Sequence, residues 1–197
     1  MATLVTKPAP GFTATAVMGD NEIKDVSLSD YKGKYVVLFF YPLDWTFVCP
    51  SEIVAFDEAV AEFEKRNCVV LGCSVDSEWT HLSWKRAAKD EGGIGQIKFP
   101  LLADLDKSIS RKYGVLMDDA VALRGLFLID KEGNVRHETI NDLPLGRNVR
   151  EVLRLVDALT FVDDNEAEDL VCPANWEAGQ DAMTASPEGV ADYLGKH

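Results

Sequence analysis

The feature that most constrains this fold is a continuous apolar run at residues 35–41, with the sequence YVVLFFY. Aromatic, aliphatic and β-branched residues in unbroken succession are typical of a strand that is buried on both faces of a sheet. A helix follows, because apolar residues recur at intervals of three and four from Ile53 to Phe63. A second buried strand is indicated at residues 68–75. Strand, helix and strand within about 40 residues predict a βαβ unit with parallel strands.

The rest of the chain continues this alternation. We predict an N-terminal hairpin at residues 12–27, helices at 79–89, 106–113 and 147–159, and a second hairpin with strands at 125–130 and 134–140. Together these elements predict an α/β fold in which helices flank a mixed central sheet. The acidic stretch from residue 161 contains Pro and Gly and reads as an arm. We therefore predict a domain of residues 1–160 and a C-terminal arm of residues 161–197.

Charge excludes one class of partner. The 197 residues carry a formal net charge of −13, and a surface that follows phosphates needs clustered Lys and Arg, so we expect no nucleic-acid partner. The longest apolar run is too short to cross a bilayer, and the first residues lack the basic and apolar regions of a signal peptide. We therefore expect no membrane association and a cytoplasmic location.

The four cysteines differ in context. No CxxC pair is present, and the three histidines are scattered, so we expect no structural metal and no cofactor. Cys68 and Cys73 lie on opposite faces of the predicted strand at 68–75, where each is expected to pack as a small apolar residue. Cys172 lies in the arm, where a free thiol would be open to oxidation, and pairing with Cys49 would give it a use.

Cys49 has the setting of a reactive thiol. Pro50 is tolerated only in the first turn of a helix, so Cys49 lies at the helix start. Backbone amides and the helix dipole favour a thiolate there. Glu52, three residues on, is expected to help close the first turn. The alternative is a small residue that merely caps the helix.

Arginine side chains are the other source of positive charge for this thiol. Arg124 and Arg147 each border a predicted core element, although either could be a surface cation. No histidine is close enough in sequence to argue for a Cys–His pair.

The segment that contains Cys49 resembles the active-site signature of peroxiredoxins. The spacing Pro42-xxx-Thr46-xx-Cys49 matches that signature, and FVCPSE together with VCPANW around Cys172 resembles the typical two-cysteine group. Further motifs, GGIG at 92–95, LRGLF at 123–127 and NDLPLGR at 141–147, fall in the expected order. The resemblance implies a thioredoxin-like fold with an N-terminal hairpin and a C-terminal arm.

The resemblance also implies roles for seven residues. Cys49 would attack the peroxide and become a sulfenic acid, which Cys172 of a second subunit would resolve into an intersubunit disulfide. Thr46 would orient the peroxide, and Arg124 would stabilise the thiolate and the departing oxygen. The implied supporting residues are Pro42, which would shield the sulfenic acid from water, and Glu52 and Arg147, which would hold Arg124 in place.

The implied partners are a peroxide, a thiol reductant protein (a thioredoxin or a flavoprotein disulfide reductase) and further copies of the chain. The copies would form a homodimer and a decamer of five dimers. The sequence leaves two alternative functions. A thioredoxin-type thiol–disulfide oxidoreductase is disfavoured because it usually needs a CxxC pair. A non-enzymatic holdase is the second alternative, and equal protection of a heated client by wild type and Cys49→Ser would support it.

Overall fold

The computed structural model describes residues 3–196. The chain divides into two compact units, the first ending at Val149 and the second beginning at Arg150. The predicted boundary at residue 160 stays a prediction, because compactness alone does not define a folding domain. Within residues 3–196, no helix is both long enough and apolar enough to cross a membrane.

The first unit is built on a seven-stranded mixed sheet. Its strands are β1 (Thr13–Val17), β2 (Ile23–Ser27), β3 (Tyr35–Phe40), β4 (Cys68–Ser74), β5 (Leu101–Ala103), β8 (Arg124–Ile129) and β9 (Val135–Asn141), and a separate two-stranded ladder joins β6 (Leu116–Met117) to β7 (Val121–Ala122). The order in the sheet is β2-β1-β5-β4-β3-β8-β9. β3, β4 and β5 are parallel, whereas β1 and β8 are antiparallel to their neighbours. This confirms the predicted α/β fold with a mixed sheet.

Both faces of β3 are covered, as its composition predicts. Phe40 packs with its ring 5.3 Å from that of Tyr113 on one face. On the other face, Phe39 stacks on Phe56 with the ring centroids 4.5 Å apart. All six residues of the strand are buried. The centre of the sheet is therefore fixed rigidly, and the loop that follows Phe40 starts from a fixed point.

The helices of the first unit are α1 (Cys49–Glu58), α2 (Val60–Lys65), α3 (Glu78–Arg86) and α4 (Ser108–Lys112). The sequence predicted one helix from about residue 49 to residue 65, and the structure interrupts it at Ala59. The strand β5 was not predicted, since three residues are too few to show a period. Both hairpins, β1–β2 and β8–β9, lie where the sequence predicted them.

The second unit contains more regular structure than an arm was expected to have. Helix α5 (Val149–Asp164) runs five residues beyond its predicted end, because Phe161 and Val162 continue the apolar pattern. A short antiparallel ladder joins β10 (Leu170–Val171) to β11 (Met183–Thr184). The chain then forms α6 (Pro187–Lys196), which the sequence analysis did not predict.

Candidate active site

Cys49 is the first residue of α1 and is fully buried. Pro50 follows within the first turn, where the missing amide hydrogen costs nothing. The carbonyl oxygen of Val48 accepts from the amides of Ser51 and Glu52 at 3.1 and 3.3 Å. The predicted helix start at Cys49 is thus confirmed, and the helix dipole has its positive end beside the sulfur.

Two side chains direct hydrogen-bond donors at the sulfur. Thr46 Oγ1 lies 3.0 Å from Cys49 Sγ, and its hydroxyl can donate either to the sulfur or to the carbonyl oxygen of Leu43 at 2.9 Å. Arg124 Nη1 lies 3.4 Å from the same sulfur and is buried. A thiolate would therefore meet a hydroxyl donor and a guanidinium donor, which is the environment that activates a cysteine nucleophile.

Glu52 links the two arginines that the sequence analysis singled out. Its carboxylate accepts from Arg124 Nη1 at 2.7 Å. It also accepts from Arg147 at the backbone amide, Nε and Nη2, at 2.9, 2.8 and 2.9 Å. The expectation that Glu52 closes the first turn was wrong, since the arginines engage both of its carboxylate oxygens instead. Arg124 and Arg147 are not surface cations.

Each arginine is also bound to the backbone. Arg147 Nη1 donates to the carbonyl oxygens of Phe40 and Gly125, at 2.8 and 2.7 Å. Arg124 Nε donates to the carbonyl oxygen of Leu143 at 2.6 Å. Because each planar guanidinium group is hydrogen-bonded in several directions, it is held in a single orientation. Arg124 Nη1, the donor beside the sulfur, is therefore preorganised.

A second network, which the sequence analysis missed, holds the loop between β3 and α1. Asp44 accepts from the Tyr41 hydroxyl at 2.9 Å, and its other carboxylate oxygen lies 2.7 Å from His81 Nδ1. The amide of Asp44 donates to Asp76 at 2.7 Å. Burial raises the pKa of Tyr41 well above its usual value, so its hydroxyl remains a donor. Only the composition of the loop, with an acid between Pro42 and Thr46, hinted at this network.

The backbone of this loop is strained at one residue. Trp45 has a φ of 56°, the left-handed region that favours glycine, and its ring centroid lies 6.3 Å from that of Trp84. Strained non-glycine residues concentrate at functional sites, where surrounding contacts hold them. Pro42 is buried at the start of the same loop.

The other three cysteines are not all equally buried. Cys68 and Cys73 are both buried in β4. Burial raises the pKa of Cys68 to about 12 and that of Cys73 well above its usual value. Neither is a nucleophile at neutral pH, which supports the predicted packing role. Cys172 lies in the second unit directly after β10 and is half-buried, although the sequence suggested an exposed thiol. Within residues 3–196, no cluster of His, Cys, Asp and Glu could hold a metal ion.

An α/β domain with a buried cysteine at a helix start, facing a threonine hydroxyl and an arginine, defines a thiol-based peroxidase. Comparisons with known proteins agree. Residues 5–138 match the model of the AhpC/TSA family, and residues 165–196 match that of the C-terminal domain of 1-Cys peroxiredoxin. Peroxiredoxin-2 of Bos taurus is 55% identical, covering 98% of this chain and 96% of the bovine one. The thioredoxin peroxidase of Echinococcus granulosus is 51% identical, covering 98% and 99%.

Solved structures give the same result. The reduced 2-Cys peroxiredoxin of Plasmodium vivax superposes with a TM-score of 0.94 at 53% identity, covering 98% of this chain and all of that one. The chain therefore belongs to the AhpC/TSA family and is a peroxiredoxin, an enzyme that reduces peroxides with a thiol. The predicted thioredoxin-like fold is confirmed.

Proposed function

We propose that Cys49 is the nucleophile that reduces the peroxide. The thiolate attacks one peroxide oxygen, and an S–O bond forms as the O–O bond breaks, which leaves Cys49 as a sulfenic acid. The second oxygen takes up the proton given up by the Cys49 thiol and leaves as water or an alcohol. The observation that carries this proposal is the pair of donors on one sulfur, Thr46 Oγ1 at 3.0 Å and Arg124 Nη1 at 3.4 Å. Both donors are placed to bind peroxide oxygens in the transition state.

The supporting residues have distinct roles in this proposal. Glu52 and Arg147 hold Arg124 through the carboxylate that both arginines share. Pro42, which is buried at the start of the loop, limits the access of water to the sulfenic acid. Because burial raises the pKa of Cys68 and Cys73, neither competes for the peroxide at neutral pH.

Cys172 of a second subunit resolves the sulfenic acid into an intersubunit disulfide, which an external dithiol protein of the thioredoxin type then reduces. A second thiol is what makes a sulfenic acid reversible, because further peroxide converts it to a sulfinic acid. The name thioredoxin peroxidase of the Echinococcus relative supports such a reductant, and a flavoprotein disulfide reductase is the alternative.

The experiment that tests this cycle is intact-protein mass and non-reducing electrophoresis, before and after one equivalent of hydrogen peroxide. Wild type is expected to become a covalent dimer. Cys172→Ser is expected to stop at an oxidised Cys49, and Cys49→Ser should remain unmodified. If Cys49→Ser oxidises as fast as wild type, the nucleophile is assigned wrongly.

The oligomer we propose is a homodimer, five of which form a decamer. Large apolar side chains are exposed in the segments that follow β3, β4 and β5, and the carboxyl ends of parallel strands lie at one edge of a sheet. These side chains are Phe47 (96% exposed), Trp79 (66%), Leu105 (64%) and Trp45 (47%). Such a patch is typical of a surface that a second protein covers.

Sedimentation velocity of the reduced protein should give the mass of ten chains, and Trp79→Glu should give dimers. A Trp79→Glu protein that sediments as wild type does would refute the assignment of this surface.

A further inference from the structure

Two residues one helical turn apart on α5 face the segment that contains Cys172. The Cys172 thiol donates to the carbonyl oxygen of Ala158, with 3.7 Å between sulfur and oxygen. Four residues earlier on the same helix face, Arg154 Nη1 donates to the carbonyl oxygen of Trp176 at 2.9 Å. The ring of Trp176 packs on Phe161, with the centroids 4.9 Å apart. The turn from Cys172 to Trp176 is therefore fastened to α5 at both ends.

Arg154 also provides the positive charge that acts on the Cys172 thiol. Burial raises the pKa of Cys172, and the positive charge of Arg154 opposes that shift. Glu151 accepts from Arg154 Nε and Nη2 at 2.6 and 2.7 Å and raises the pKa of the arginine. The negative charge of Glu177 adds to that shift. With two donors on Glu151 and a third on the backbone of the turn, the guanidinium is held in one orientation against the segment that contains Cys172.

We propose that Arg154 is a positioning residue for the resolving step: it fastens the Cys172 turn to α5 and favours the thiolate that attacks the oxidised nucleophile. This inference rests on the proposed function. The Cys172 thiolate forms an S–S bond with the sulfur of Cys49 while the S–O bond of the sulfenic acid breaks. The hydroxide that leaves takes up the proton given up by the Cys172 thiol and becomes water. The Cys49 sulfur is reduced and the Cys172 sulfur oxidised, so no further oxidant is needed.

The structure also explains why such help is needed. The hydrogen bond from the thiol to Ala158 exists only while the sulfur carries its proton, so it favours the unreactive form. Burial acts in the same direction. Arg154 is the group that offsets both effects, and only the thiolate attacks a sulfenic acid at a useful rate.

The first experiment measures the thiolate directly and does not depend on peroxide. In Cys49→Ser protein, the rate at which iodoacetamide modifies Cys172 is followed by mass spectrometry from pH 6 to pH 10.5. We expect Arg154→Gln to lower the rate about threefold to fivefold at pH 7, the usual size for a partly exposed charge interaction. The difference should shrink towards the alkaline end, as the thiolate fraction of both proteins rises. Arg154→Lys, which keeps the charge, should recover most of the rate.

The control is Arg111→Gln, which removes an arginine that is likewise paired with a carboxylate, Asp119 at 2.8 Å, but whose side chain is 61% exposed against 26% for Arg154. It should leave the rate at Cys172 unchanged. The proposal is overturned if Arg154→Gln reacts like wild type, if it is slower by the same factor at every pH, or if Arg154→Lys is as slow as Arg154→Gln. A constant factor would mean that Arg154 changes only the access to the thiol.

The second experiment tests the step in the enzyme. After one equivalent of hydrogen peroxide, samples are quenched in time and the sulfenic acid and disulfide are quantified by mass. Arg154→Gln should form the sulfenic acid at the wild-type rate and the disulfide about threefold to fivefold more slowly at pH 7. Disulfide formation at the wild-type rate would overturn the role of Arg154. If wild type forms no Cys49–Cys172 disulfide, the proposed function itself is wrong and the resolving role falls with it, whereas the alkylation result stands alone.

Discussion

Replacement of Glu52 by Ala tests how strongly the active site depends on its buried charges. The side chains of Glu52, Arg124 and Arg147 are 3%, 4% and 2% exposed. The variant removes the carboxylate that accepts from four donors of the two arginines and leaves two cations in a dry environment. Removing one partner of a buried ion pair costs about 3–5 kcal/mol. We expect the free energy of unfolding to fall by that amount.

Urea unfolding of the reduced protein measures the effect, at one protein concentration because assembly adds to stability. With a slope of about 2 kcal/mol per molar urea, the midpoint should fall by about 1.5–2.5 M. Peroxide reduction should also slow, since Arg124 loses the carboxylate that orients it.

The matched control is Glu62→Ala, which also removes a carboxylate that binds two cations. Glu62 pairs with Lys65 and Arg66 at 2.6 and 3.1 Å, but its side chain is 47% exposed. Exposed pairs contribute at most about 1 kcal/mol. If Glu52→Ala and Glu62→Ala shift the midpoint equally, the argument from burial is wrong.

Three further predictions concern single side chains. Thr46→Val should slow the oxidation of Cys49 by about 10- to 100-fold, because a hydrogen bond to a charged group contributes about 1.5–3 kcal/mol, and Thr46→Ser should retain most of the rate. The rates are measured by stopped-flow kinetics with hydrogen peroxide, and equal rates for wild type and Thr46→Val would show that the role of Thr46 is assigned wrongly. Cys68, whose pKa burial raises to about 12, should resist iodoacetamide in the native protein at pH 8 and react only after unfolding, and modification without unfolding would contradict its burial. Burial lowers the pKa of Lys85 to about 8 from 10.5, so the unfolded chain binds more protons between those pH values and stability rises with pH. The stability of wild type relative to Lys85→Met should therefore increase by about 1–3 kcal/mol from pH 7 to pH 10.5, and a pH-independent difference in urea midpoints would refute this.

Local pattern was sufficient to predict the centre of the fold. The two buried runs gave β3 and β4, since continuous apolar sequence has few other solutions in a protein of this size. Pro50 fixed the start of α1 because proline is accepted at few helix positions. Arg124 and Arg147 were candidates because each borders a predicted core element, and their roles were implied by the family resemblance.

Contacts between residues that are far apart in the sequence could not be predicted from local patterns. Asp44 and His81 are separated by 37 positions, and no local property of either residue indicates the other. The capping expected of Glu52 was wrong for the same reason, because a local rule was applied where two remote arginines were the stronger partners. Only the family resemblance implied that Glu52 supports Arg124. The break at Ala59 between α1 and α2 had no sequence signal that we can identify.

The reach of the contacts around Cys49 has a consequence for the newly made protein. Arg124 lies 75 positions from Cys49, and Arg147 lies 107 positions from the carbonyl oxygen of Phe40 that it binds. A chain emerging from the ribosome exposes Cys49 long before either guanidinium can reach it, and so carries an ordinary, slow thiol. Sensitivity to oxidant is thus acquired only on completion of the tertiary structure. Peroxidase activity should accordingly be the last signal to recover during refolding, after helicity and intrinsic fluorescence.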